Sequence, residues 1–253
     1  MFTLDDVVPW GRSFDEYQRM FALTADDLGL RIVGCGDGPA SFNAEATRRG
    51  ATVVSCDPIY RFDGDQLRAR IASTCDEILD QTRRNTDEFV WTTIRSVDEL
   101  GQVRMAAMTE FLDDYPAGRA AGRYLDAELP HLPFPDGSFD LALCSHFLFL
   151  YTTQLGEAFH RTAIREMCRT AAEVRIFPLL ALGATPSPLV APVAAELREL
   201  GFDVSLETVP YEFQRGGNQM MRIRRSGRNR VTDANGTRTS SASSITVPSP
   251  RAE

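Results

Sequence analysis

The sequence predicts an α/β fold: a doubly wound, mostly parallel seven-stranded sheet with helices on both faces, an N-terminal helix and a helical insertion. Two observations carry this. LRIVGCGDGPASF, residues 30–42, runs from an apolar strand through a glycine turn into a helix closed by Gly50, and ATVVSCDP follows as a second, β-branched strand. Strand, turn, helix and strand in so short a span make a βαβ unit, whose strands are parallel. The same alternation of apolar strand and amphipathic helix then resumes in the second half of the chain.

Taken in order, Ser13-Phe14-Asp15-Glu16 has capping-box spacing, and Phe14, Tyr17 and Phe21 fall on one helical face. After the βαβ unit, residues 63–116 read as an inserted helical flap. Leu67, Ile71, Cys75 and Ile78 mark one stripe, and Ser96-x-x-Glu99 opens a second helix. GRYLDAELP holds a short strand around Tyr124, and FDLALCSHFLFLY gives another. A helix over residues 157–169 leads into the strand EVRIFPLL. Ser187-Pro188 is read as cap and first turn of a helix that Gly201 stops, and Phe202, Val204 and Leu206 alternate before a last strand, QMMRIRR. Residues 1–225 are expected to form one domain. From Ser226 to Glu253 the chain is Arg, Ser, Thr, Asn and Pro with scarcely an aliphatic residue, the composition of a disordered tail.

Composition narrows the function. All 27 basic residues are arginine, and the absence of lysine excludes P-loop and pyridoxal chemistry, each of which needs one. A net charge of −8 argues against nucleic acid as a partner. Cys35, Cys56, Cys75, Cys144 and Cys168 show no CxxC spacing and lie mostly in apolar runs, which reads as reduced thiols of a cytoplasmic protein with no metal site. No signal peptide or membrane-spanning run is legible.

The glycine turn and the acid after the second strand point to a nucleoside. Gly34, Gly36 and Gly38 allow close backbone approach, and Asp57, followed by Pro58, stands at the strand end. The dinucleotide fingerprint GxGxxG, started at Gly34, demands glycine at 39, where Pro39 stands. An NAD-type oxidoreductase is therefore the second reading, and a nucleoside-binding protein without catalysis the third.

From about Leu30 to Arg224 the chain resembles the class I S-adenosylmethionine-dependent methyltransferases. GCGDGPA is similar to their first motif, SCDP to their second-strand acid, LDAELPHLPFPDGSFDLALCSHFL to the segment running into strand four, and RTAIREMCRTAAEVRIFP to the following helix and strand. The resemblance implies S-adenosylmethionine as cofactor. Gly36, Asp37 and Gly38 would lie in its turn, Asp57 and Pro58 by its ribose, and Asp126 and Ala127 by its adenine, with Cys144 at the end of strand four. It also implies an acid at position 34, where this chain has glycine; Asp37 is the residue able to compensate.

Each assignment has a plain counterpart: a capping acid for Asp57, a loop acid for Asp126, a structural acid for Asp140. DPIY, residues 57–60, is similar to the Asp-Pro-Pro-Tyr box of amino-methylating enzymes, but it follows strand two where theirs follows strand four. Methyl transfer to a small-molecule acceptor needs alignment above all. His146, titrating near neutral pH, is the candidate base, or a hydrogen-bonded strand-end histidine. Tyr151 is a pocket wall or core, and Trp10, Arg12 and Tyr17 are a lid or a packed surface helix. His131 and His160 look incidental.

Overall fold

A parallel sheet needs both faces covered, and the near-continuous apolar runs Arg31–Cys35, Phe139–Ser145 and Ala171–Phe177 supply strands suited to it. The computed structural model describes residues 8–226; the expected tail, apart from Ser226, and the first seven residues lie outside the described part. In chain order the helices are α1 (Phe14–Met20), α2 (Ala25–Leu28), α3 (Phe42–Arg48), α4 (Gly64–Arg84), α5 (Val97–Ala120), α6 (Thr152–Thr170) and α7 (Val190–Glu199). The strands are β1 (Arg31–Cys35), β2 (Thr52–Cys56), β3 (Tyr124–Leu125), β4 (Phe139–Ser145), β5 (Ala171–Phe177), β6 (Leu180–Ala181), β7 (Thr185–Pro186), β8 (Phe202–Thr208) and β9 (Gln219–Arg225).

Seven of these form one sheet in the order β3-β2-β1-β4-β5-β9-β8. The first five run parallel, and β9 is antiparallel to both β5 and β8. The order reverses between β1 and β4, which makes the carboxyl ends of β1, β2 and β4 the place where an open α/β sheet leaves a crevice. The fold class expected from the sequence is the one observed.

Successive residues of a strand serve opposite layers. Val33, Ala142, Cys144, Val174 and Ile176 pack with Ile164 and Met167 of α6 and Val193 of α7. Ile32, Leu141 and Leu143 pack instead with Phe14, Tyr17 and Met20 of α1 and Phe42 of α3. A third cluster joins Tyr60 to Leu67 and Ile71 of α4 and Phe111 and Tyr115 of α5, so the insertion seats on the chain just beyond β2. The capping box at Ser13 is formed, with Glu16 N donating to Ser13 Oγ and Ser13 N to Glu16 Oε2.

One expectation needed correction, and two small elements were not foreseen. Helix α7 starts at Val190 rather than at Ser187-Pro188, because Ser187 N donates back to Leu179 O and its hydroxyl is taken by Leu189 N and Thr152 Oγ1. Helix α2, four residues under a Thr24/Asp27 capping box, is too short to leave a periodic signature. The β6–β7 pair was likewise not legible. Asp140 is structural, as read: it binds the Arg31 guanidinium through both oxygens, at 2.9 and 3.0 Å. Among the described residues no helix is long and apolar enough to cross a membrane.

Candidate functional site

The turn after β1 is held by the chain beyond β2. Gly36 (φ +69°) and Gly38 (φ +55°) take left-handed conformations that a side chain would strain. Gly36 N donates to Cys56 O, 2.9 Å, tying the turn to the end of β2. Asp57 Oδ2 accepts from Gly38 N at 2.8 Å and Oδ1 from Ile59 N at 2.9 Å, so one carboxylate clamps the turn and caps the 3-10 turn Pro58–Arg61. Each oxygen keeps a second lone pair. Tyr60, 1% exposed, donates its hydroxyl to Gly38 O at 2.7 Å. The tyrosine of DPIY is thus a brace for the turn.

Asp37 folds back over β1. It accepts from Tyr17 OH at 2.9 Å and Ser55 Oγ at 2.6 Å, and it is 7% exposed. A Cβ added to Gly34 would lie 1.8 Å from Asp37 Oδ2. Burial pushes the Asp37 carboxyl up to about 6 against the pull of its two hydroxyl donors, and burial does the same for Asp57, whose backbone donors oppose it while Glu128 and Asp126 add to it. Two desolvated carboxyls side by side at a strand-end crevice mark a candidate site.

They open onto a cavity of about 740 Å³, within the range of small-molecule sites. Gly36, Asp37, Gly38, Asp57 and Pro58 line it from the turn, Ser145, His146 and Phe147 from the end of β4, and Arg70 and Thr74 from α4. Trp10, Arg12 and Tyr17 line it too, although the sequence favoured a surface helix for that segment. What draws them in is a close approach: a Cβ on Gly11 would meet Pro39 O at 2.1 Å, and Ser41 N donates to Arg12 O at 3.0 Å.

Four residues singled out by the resemblance do not line the cavity. Gly34 is separated from it by the Asp37 carboxylate. Cys144, 0% exposed, lies within β4 and points into the α6 layer; the residues that reach the cavity are those just past it. Asp126 is exposed and Ala127 packs against the core, while the same loop presents Glu128 and Leu129 to the cavity. Asp126 bears on the site through its charge on Asp57.

His146, just past β4, sits in a left-handed conformation (φ +53°), a strain that the end of β5 maintains through His146 N donating to Phe177 O at 2.7 Å. Ser145 Oγ and His146 Nδ1 are hydrogen-bonded at 2.9 Å. Burial, then the charges of Arg12 and Arg104, push the imidazole well below its usual pKa, so His146 is neutral at pH 7 and does not titrate near it as the sequence suggested. Tyr151, 3% exposed, accepts from Val8 N at 3.4 Å and lines a second, smaller chamber of about 80 Å³ that shares Val8, Trp10, Arg12 and His146 with the large one. His160 holds the loop after β4, accepting from Phe149 N at 2.9 Å.

Behind these groups Arg104, 0% exposed on α5, pairs with Glu16 of α1 at 2.5 Å, and Tyr211 OH donates to the other Glu16 oxygen at 2.8 Å. Burial alone would raise the Glu16 carboxyl; the charges of Arg104 and Arg12 bring it down to about 2. Tyr17, Ser55, Tyr60, Glu16 and Arg104 were not singled out as site residues by their sequence context, except Tyr17 as part of a lid.

No protein-family model matches the sequence. Uncharacterized protein MJ0045 of Methanocaldococcus jannaschii is 33% identical over 227 residues, 88% of this chain and 98% of its own length. The chain belongs to the same family as that archaeal protein. Among solved structures, magnesium protoporphyrin IX methyltransferase of Synechocystis PCC 6803 with bound SAM aligns over 84% of this chain and 91% of its own, at 13% identity and a TM-score of 0.42. The mitomycin 7-O-methyltransferase MmcR aligns over 84% of this chain and 54% of its own, at 14% identity and a TM-score of 0.43. The 1,6-didemethyltoxoflavin-N1-methyltransferase of Burkholderia thailandensis, with S-adenosylhomocysteine, aligns over 78% and 71%, at 12% identity and a TM-score of 0.41.

Proposed function

We propose that the family shared with the archaeal protein is one of S-adenosylmethionine-dependent methyltransferases, and that this chain methylates a small-molecule acceptor in the cytoplasm. The observation that carries the reading is the Asp57 carboxylate, fixed at the end of β2 by Gly38 N and Ile59 N, with one acceptor position left on each oxygen toward a cavity of about 740 Å³. Two parallel acceptors suit the vicinal hydroxyls of a ribose, each bond strengthened by the carboxylate charge.

The residues fit such a cofactor. Gly36 and Gly38 supply bare backbone beside it, and Asp37 supplies a second carboxylate on the same wall for an ammonium group. Glu128 and Leu129 stand where a base would be flanked. When bound, S-adenosylmethionine supplies a methyl group on a sulfonium whose leaving group is neutral. The chain's own task is then to align the acceptor and exclude water, an effect worth about 7–11 kcal/mol where orientation is complete. His146 and Tyr151 are the groups at the acceptor side. With its basicity depressed, His146 is suited to hold the acceptor atom by a hydrogen bond rather than to deprotonate a weak acid.

A thermal-shift series tests the reading. S-adenosylhomocysteine at about a hundred times its Kd should stabilise the protein by roughly 2.7 kcal/mol. That corresponds to about 5–10 °C for a chain of this size, with no shift from NADH. Equal shifts from both, or none from S-adenosylhomocysteine, would overturn it. Pro39 in the fingerprint leaves nothing that favours the oxidoreductase reading.

A further inference from the structure

Methyl transfer alone does not account for two arginines placed behind the acceptor side of the cavity. Arg104 is fully buried; its Nη1 pairs with Glu16, and its Nε and Nη2 have no partner among the described residues. Arg12 gives Nη1 to Trp10 O at 2.5 Å, and its Nε is buried with no partner among the described residues. Among the described residues Glu16 thus supplies one negative charge against two positive ones, and the other ionisable neighbours described there, Tyr17, Tyr211 and His146, are neutral at pH 7. A buried cation left short of a counter-charge is costly, so a chain that keeps one has a use for it.

The chamber beside Arg12 shows what that use is. Its walls include Ile78, Leu100, Leu150, Leu182 and Phe213. One more polar atom there has no partner among the described residues: Gln214 Oε1, a buried acceptor. At roughly 10–15 Å³ for each water-sized group, its 80 Å³ holds about six such groups, the size of one small ring. Arg12 lines both this chamber and the large cavity, so it stands at the junction between them. With Nη1 engaged, Nε is the buried donor of Arg12 that has no partner among the described residues, and a charge-assisted bond from it suits a carboxylate oxygen.

Resting on the methyltransferase reading, we propose that the acceptor is a small apolar carboxylic acid. Its carboxylate docks on Arg12, its ring fills the chamber lined by Leu150 and Phe213, and a hydroxyl or amine on that ring donates to Gln214 Oε1. The field of Arg12 and Arg104 selects the charge, the apolar walls select the body, and Gln214 selects a ring that carries a donor.

Calorimetric titration of the full chain with 3- and 4-hydroxybenzoate and with the corresponding neutral amides, each with and without saturating S-adenosylhomocysteine, tests this. At least one acid should bind ten-fold or more tightly than its amide. Arg12→Met should erase that preference and Arg12→Lys keep part of it, and binding should move the ring signals of His146 but not those of His131. Equal affinities for acid and amide, or a preference unchanged in Arg12→Met, would overturn the proposal. So would inorganic phosphate binding as tightly as the acids. Should Arg12→Met fail to fold, the acid–amide comparison and the His146 signals of the parent decide alone. If S-adenosylhomocysteine binds but no acid is preferred, this inference falls by itself; if an acid is preferred but S-adenosylhomocysteine does not bind, the chamber stands as an acid site while the cofactor reading, and with it the acid's role as methyl acceptor, falls.

Discussion

Asp37 stands in the space that a side chain at Gly34 would fill: Oδ2 lies 1.8 Å from where a Cβ on Gly34 would be. The acid that the resemblance implies at position 34 is absent there, and a carboxylate three residues later reaches the same place from the turn. Exchange of the two should therefore be tolerated better than either change alone. Gly34→Ala displaces Asp37 and frees the Tyr17 and Ser55 hydroxyls, which at about 1–3 kcal/mol for each buried donor lowers the melting temperature by several degrees. The double variant Gly34→Asp with Asp37→Gly should regain most of the S-adenosylhomocysteine affinity lost in Asp37→Gly alone. Titration calorimetry on the three variants decides, and no recovery in the double variant would show that the two positions are not equivalent.

Asp57→Ala should cost the fold about 1 kcal/mol, the usual loss of a capping acceptor, because Gly38 N and Ile59 N lose their partner. The larger effect falls on the cofactor: the thermal shift given by S-adenosylhomocysteine should vanish while circular dichroism stays that of the parent. An unchanged shift removes Asp57 from the site.

The titration of the site has a definite sign. Asp37 and Asp57, both pushed up to about 6, hold their protons more tightly folded than unfolded. Their stabilising effect is complete below about 4, the unfolded carboxyl value, and is lost as pH rises through 6. His146 acts in the opposite direction: its lowered pKa favours the neutral ring, a stability present above about 6.5 and lost as pH falls. Cofactor affinity follows the carboxylates, since only the ionised Asp57 offers two acceptors. S-adenosylhomocysteine should bind about ten-fold more weakly at pH 5 than at pH 7.5, one proton over one unit below 6. An affinity that is flat between those values, measured by calorimetry, contradicts the assignment.

Glu16→Gln leaves Arg104 buried without its ion partner, which should cost about 3–5 kcal/mol. Adding Arg104→Met should restore much of that loss. Chemical denaturation of the single and double variants completes the cycle, and additive losses would argue that the pair is not coupled.

The local parts of the site were legible in the sequence and the long-range parts were not. Gly36, Gly38 and Asp57 belong to one strand–turn–helix–strand unit, so their order along the chain already sets their order in space. Asp37 was identified, but its place depends on the missing side chain of Gly34 and on Tyr17 and Ser55, which only folding brings near. Arg104 lies 88 residues from Glu16 on a helix read through its apolar stripe, and periodicity cannot reveal a charge buried along that stripe. Cys144 was assigned to the cavity because an apolar run covered on both sides does not announce where its strand stops; Ser145, His146 and Phe147, just past it, are the residues that reach the cavity. The cap of α7 was misplaced because Ser187 serves Leu179, Leu189 and Thr152 instead of a helix end.

The absence of a side chain at Gly11 lets the segment leading into α1 rest directly on the Pro39 carbonyl. The Trp10–Arg12 wall of the cavity and the glycine-turn wall are thereby mechanically joined, so neither can be remodelled alone. Even a single methyl at Gly11 would pry both walls apart together, and any change of shape selected along the Trp10–Arg12 wall would be felt at the glycine turn as well.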